Sequence, residues 1–274
     1  MTFQIGVPHE VEKFHAAHAS FFEGSEVLEE ALAVAFHRTT TLDSPIDMLI
    51  FFLGHRCAQD FREIALLAAN GFGWGATAHL RGMFERLVTM TYLHENPSEA
   101  DNFIDYDFVR RWRVAQAIER TLGLTPEDQK GKDQLRENFD RVKAKFEIPC
   151  CKDCKEKRLN HTWSRLDVVS MAGKISLFTK LKDAVVPAYY MPLAQAHSTL
   201  ASAILRVGEA NGSFIVDPDL ARGESHRSFQ YAHLLLLSTL VIQHERFQLA
   251  EFDVLLQTAF EHFRKAWPSS ADAA

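Results

Sequence analysis

The stretch "HLRGMFERLVTMTYL", residues 79–93, decides the fold class. At about 100° per residue, Leu80, Phe84, Leu87 and Thr91 fall on one helical face, flanked by Met83 and Val88. The opposite face carries Ala78, Gly82 and Thr89 where a solvent-facing helix would carry charges. A helix apolar on one side and small on the other is built for burial between neighbours. Glycine inside a helix costs about 0.5–1 kcal/mol relative to alanine, so Gly82 is expected to admit another backbone at close range. Between Trp74 and Leu93 the permanent charges are Arg81, Glu85 and Arg86. Arg81 and Glu85, four residues apart, stack at the edge of the apolar face, with Tyr92 on the same edge. Two uses fit that pattern. One is an intrahelical ion pair closing the rim of the core. The other is a pocket in which Arg81 binds an anion and Glu85 orients it or handles a proton.

A buried helix needs helices around it, and apolar spacings of three and four supply them. They predict helices over 8–37, 44–70, 74–95, 97–122, 126–147, 164–182, 188–210, 225–250 and 252–267. Ser44-Pro45, Asn96-Pro97 and Thr125-Pro126 each place a capping residue before a proline at the first helical position, with acidic residues following in the first turn. Pro8 opens the first helix in the same way. No segment alternates cleanly enough to define a strand; "NGSFIVDPD", residues 211–219, reads equally as a short strand or an extended loop. The expectation is an all-α protein, one irregular bundle of about eight or nine helices over 1–268. The polar, cysteine-containing segment 126–162 forms an arm or insertion, and 269–274 a disordered tail.

Composition narrows the class. The chain has 274 residues, 47% hydrophobic and 24% charged, with a formal charge of −6. That is an ordinary globular balance, with ample core for this length and no basic bias towards nucleic acid. The N-terminus lacks the pattern of a signal peptide, and no apolar run approaches the ~20 residues of a spanning helix. Three of the four cysteines crowd at Cys150, Cys151 and Cys154, which is no disulfide framework in a chain this long. A cytoplasmic protein without membrane association follows.

Beyond the opening helix, "HTWSRLD" (161–167) and "YYMPLAQAHSTLASAI" (189–204) add a Trp near a helix start and a Tyr-x-x-Leu-x-x-x-His segment. Together with "ATAHLRGMFERLVTMTYL" (76–93), these resemble a largely bacterial family of helical proteins known only as a domain of unknown function. The elements fall on Arg81, Glu85, Tyr92, Leu93, Trp163, Tyr190, Leu193 and His197, and the similarity covers about 40–210. The resemblance implies an all-helical fold with a shared polar centre and no established reaction. It adds His197 to Arg81 and Glu85 as a candidate site; histidine titrates near neutrality and suits proton transfer, although a helix histidine beside Leu193, Leu200 and Ile204 also fits a hydrogen-bonded core role.

Three further patterns carry chemistry. Cys151-x-x-Cys154 followed by His161 is half of a zinc-site spacing; structural zinc takes four ligands, and no second pair follows, so no cofactor is expected unless a remote residue or a partner chain completes the set. "RSFQYAH", residues 227–233, resembles the Arg-x4–6-His signature of HEPN helical nucleases. That resemblance implies metal-independent RNA cleavage by Arg227 and His233 across a homodimer, although Ser228 departs from the polar residue usual there. On one regular helix the two side chains would point about 120° apart. "VRRWRVAQAIER", residues 109–120, places Arg110, Arg111, Arg113 and Arg120 around Trp112, a pattern for phosphates and a stacked base or for a solvated face paired with carboxylates. No P-loop, dinucleotide glycine motif, Gly-x-Ser-x-Gly or His-Glu-x-x-His occurs. The leading expectation is a helical protein with a polar pocket around Arg81, Glu85 and His197 for a small anionic or nucleotide-like ligand, in stress or phage defence. The alternatives are the HEPN-like ribonuclease and an interaction module without catalysis.

Overall fold

The structure, a computed structural model, describes residues 6–38, 41–123, 125–151, 156–178, 181–196, 207–210, 213–216 and 218–268. It is predominantly α-helical, with two two-stranded antiparallel hairpins. The helices are α1 (Pro8–Ala17), α2 (Ala19–Phe22), α3 (Glu26–Phe36), α4 (Pro45–Ala69), α5 (Gly73–Glu95), α6 (Ala100–Leu122), α7 (Pro126–Val142), α8 (Val168–Ala172), α9 (Met191–Ala196), α10 (Pro218–Phe247) and α11 (Phe252–Ala266). No helix among the described residues is long and apolar enough to cross a membrane.

The chain divides into two compact units, 1–95 with 171–274, and 96–170. In the first, α4, α5 and α10 pack against one another over most of their lengths, and α5 also meets the 186–196 segment. The opening helix is therefore central, as its two non-polar faces require: Leu80, Met83, Phe84, Leu87, Val88 and Met90 are all buried. Buried polar groups tie the three helices in register. The Thr77 and Ser228 hydroxyls lie 2.8 Å apart, and the Gln243 amide donates to the Ile50 carbonyl at 2.8 Å. Gly54 makes the second bond available, because a Cβ there would collide with the Gln243 amide.

The second unit has its own small core of Tyr106, Val109, Phe139, Val142 and Phe146. Its α7 opens on the expected cap, the Thr125 hydroxyl accepting from the Asp128 amide and the Asp128 carboxylate accepting in return. Trp112 stacks on Phe139 at 5.4 Å, and Arg113 donates to the Asn160 carbonyl at 2.8 Å, so both serve this core.

Several boundaries differ from expectation. The helix predicted over 8–37 is three pieces, broken at His18 and at Gly24, whose φ of +87° suits only glycine. That predicted over 164–182 shrinks to α8: Glu95 instead accepts from the Ser176 and Leu177 amides and the Ser176 hydroxyl, at 2.8–3.1 Å, holding this stretch as a turn. That predicted over 188–210 becomes a π turn over 186–190, short α9 and, at its end, β3 (Val207–Ala210); Pro187 and Pro192 lack the amides an α ladder needs. β3 pairs with β4 (Ser213–Val216), and β1 (Glu147–Pro149) with β2 (Lys157–Leu159). The second pair escapes a search for alternation because its strands are short and charged. The predicted tail over 269–274 lies outside the described residues.

Candidate functional site

On α5 the two predicted charges do meet. Arg81 Nε donates to Glu85 Oε1 at 2.8 Å, and the guanidinium lies 5.1 Å from the centroid of the Tyr189 ring. Both side chains are partly exposed. His197 lies outside the described residues. Gly82 has a different role from the one expected: a Cβ there would stand 2.6 Å from Arg86 Nη1, so the glycine makes room for that residue's own guanidinium rather than for a backbone.

Arg86 crosses to α4, where Nη1 lies 2.8 Å from Oδ2 of Asp60, a residue 1% exposed. The approach is off-line for a hydrogen bond and acts as an ion pair. Arg56 Nη2 reaches Asp60 Oδ1 at 3.3 Å, and Arg56 also grips both Glu63 oxygens at 3.2 and 3.3 Å. His79 Nδ1 adds a contact to Glu63 at 3.1 Å. Burial raises the Asp60 carboxyl above its usual range, opposed by Arg86 and Arg56. Asp60, Glu63 and His79 bring ligand atoms within 4.8 Å of one another, the spacing of a cation site. The two guanidiniums already balance the two carboxylates, and a dication would have to displace one of them. Beside this seam, burial pushes the Cys57 thiol up to about 12 and keeps it inert.

Arg227 and His233 do not meet on α10. Arg227 donates to Glu224 at 2.8 Å, while His233 is 0% exposed and its Nδ1 accepts from Trp267 Nε1 at 3.0 Å. Burial, with His262 nearby, holds His233 neutral, at about 3. Ser228, the departure from the nuclease pattern, is spent on Thr77. In the second unit, Cys150 and Cys151 are exposed at the turn between β1 and β2, where the Cys150 amide donates to the Glu156 carbonyl at 2.9 Å. His161 is exposed beyond β2, and Cys154 lies outside the described residues.

A cavity of about 190 Å³ opens between α1, the turn after α4 and the first turns of α10. Phe14, Ala17, Ala68 and Gly71 give it an apolar wall. Its polar side consists of Glu10, Lys13, Arg222 and His226, with Ser225 and His18 behind. Arg222 clamps Glu10 through Nε at 3.0 Å and Nη2 at 2.8 Å, which holds the Glu10 carboxyl at about 2. Lys13 approaches the same Glu10 carboxylate at 3.3 Å. His18 donates from Nδ1 to the Phe14 carbonyl at 2.9 Å, since a carbonyl only accepts, and its Nε2 lies 3.0 Å from His226 Nδ1. Desolvation lowers both histidines below their ordinary value, His18 being buried and His226 exposed at the cavity's edge. Sequence reading missed this site because its parts are 208 residues apart and no local spacing announces them.

No curated protein and no solved structure matches this chain. One family does, over residues 47–214, which span α4, α5, α9 and the whole second unit; it is described as a family of unknown function. The resemblance to HEPN nucleases finds no counterpart in these comparisons. By its central helices and by the match over most of its length, the chain belongs to the family of unknown function DUF5677.

Proposed function

We propose that this protein binds a small organic anion in the cavity between α1 and α10. The supporting observation is the pairing of an apolar wall with two cationic side chains, Lys13 and Arg222, gathered beside Glu10 on its polar side. Binding sites typically combine such an apolar enclosure with a few convergent polar groups. At about 190 Å³ the space suits a single ring or short acyl chain, since a cavity of about 150 Å³ accepts benzene. A whole nucleotide is larger than this, so the anionic half of the sequence expectation is the half carried forward, moved from Arg81 to Arg222 and Lys13. Arg81 is occupied by Glu85 and Tyr189.

Calorimetric titration with benzoate and its neutral isostere benzamide tests this reading. Benzoate binds at least about tenfold more tightly, the worth of one partly screened charge contact. Lys13→Met narrows the gap. Equal affinity for the two compounds, or no binding of either, refutes the reading.

A further inference from the structure

On the seam between α4 and α5, Asp60 is 1% exposed, and its buried Oδ2 receives no hydrogen bond. A desolvated carboxylate oxygen left in that state points to a ligand. Three residues further along α4 stands Glu63, and His79 of α5 brings its Nδ1 to 3.1 Å from Glu63 Oε2. The donor atoms of Asp60, Glu63 and His79 all lie within 4.8 Å of one another. We propose that these three residues bind a divalent transition metal, which enters by displacing the Arg56 guanidinium.

Spacing, donor chemistry and the present occupant agree. Donors that share one metal at about 2.0–2.2 Å sit about 3–3.5 Å from each other. The Glu63–His79 contact already has that spacing, and Glu63, partly exposed, has room to turn towards Asp60. Two carboxylates with one imidazole suit Zn²⁺, Mn²⁺ or Fe²⁺, whereas Ca²⁺ and Mg²⁺ take oxygen ligands. His79 ligates through Nδ1 as the neutral tautomer protonated on Nε2.

Arg56 marks where a cation sits. It meets Asp60 Oδ1 at 3.3 Å and the two Glu63 oxygens at 3.2 and 3.3 Å. These contacts are longer than the about 2.7–2.9 Å usual between guanidinium and carboxylate, so Arg56 is a loose occupant. Its side chain is 40% exposed and can swing into solvent. Arg86 keeps its place 2.8 Å from Asp60 Oδ2, orienting the carboxylate so that Oδ1 faces the metal. Water completes the coordination on the side of the partly exposed Glu63 and His79.

Mn²⁺ is the probe, because thiols such as the exposed Cys150 and Cys151 favour softer metals, and the EPR signal of free aqueous Mn²⁺ is lost on binding. Titration of the native protein is expected to show one Mn²⁺ per chain, released by Zn²⁺, which such ligands hold more tightly. His79→Ala, at a side chain 42% exposed, should weaken Mn²⁺ binding at least about tenfold. Arg56→Met removes the competing cation and should tighten it at least about tenfold, a gain that a purely structural ion-pair cluster does not predict. No binding to the native protein overturns the inference. So does binding that is equal in His79→Ala or no tighter in Arg56→Met, the marks of an adventitious ion only. Should Arg56→Met fail to fold, the native protein and His79→Ala decide.

Discussion

Acidification should destabilise this protein through one residue whose magnitude can be worked out. His233 is fully buried, with Nδ1 occupied by the Trp267 indole, and its pKa lies at about 3 against an ordinary 6.5. The folded value is the lower one, so the unfolded chain binds more protons between the two. Stability is then full above pH 6.5 and is lost as pH falls from there towards 3. At about 1.4 kcal/mol per unit, the gap amounts to about 5 kcal/mol by pH 3, comparable with the whole stability of an ordinary domain. Between pH 7 and pH 5 the share is about 2 kcal/mol. His18, His94 and His226 are also lowered by burial and act in the same direction, so the native curve alone does not isolate His233. His233→Gln does: it offers Trp267 an acceptor and does not titrate. Urea unfolding of both proteins at pH 7, 6 and 5 is expected to show the native protein losing about 2 kcal/mol more than the variant over that range. Parallel curves would refute the reasoning, since they would mean that His233 takes its proton as readily folded as unfolded.

The seam between α4 and α5 yields further tests. Arg86→Met leaves Asp60 buried with only the longer Arg56 contact, and about 3 kcal/mol is the expected loss in urea unfolding. Because the Asp60 carboxyl then sits still higher, that loss is larger at pH 8 than at pH 5; an equal loss at both contradicts the ion-pair account. Gly82→Ala should destabilise the native protein by displacing Arg86, yet stabilise Arg86→Met by about 0.5–1 kcal/mol, the ordinary helix gain; additive effects would show that the glycine serves something else. Arg81→Met, which breaks a pair 27% and 37% exposed, should cost less than about 1 kcal/mol by the same measurement, and a larger cost would make Arg81 more than a rim residue.

The long helices were legible in the sequence because periodicity and caps agree there. Ser44, Pro45 and Asp47 open α4 as written, and the small and apolar faces of α5 place it at the centre. Legibility failed where the backbone answers to a distant group. Nothing between Ser164 and Lys182 says that Glu95 will gather the amides of Ser176 and Leu177. The site divides in the same way. The Arg81–Glu85 pair, local and four residues apart, was readable. Arg86 was visible as a charge on a helix with no solvent face, but its partner Asp60 looks like any other acid on α4. His18 and His226 were invisible as a pair, because tertiary packing alone brings α1 against α10. The nuclease-like spacing of Arg227 and His233 shows the converse: sequence proximity on one helix left the two on separate partners, Glu224 and Trp267.

The central claim, that the cavity between α1 and α10 is a binding site for a small organic anion, is tested most directly by titrating benzoate into the native protein and into Ala17→Leu. Ala17 is exposed at the edge of the cavity, so leucine there fills the space from outside without disturbing a buried contact. The account predicts one benzoate bound per native chain and at least about tenfold weaker binding to the variant. Benzoate that fails to bind, or that binds both proteins equally, would contradict it.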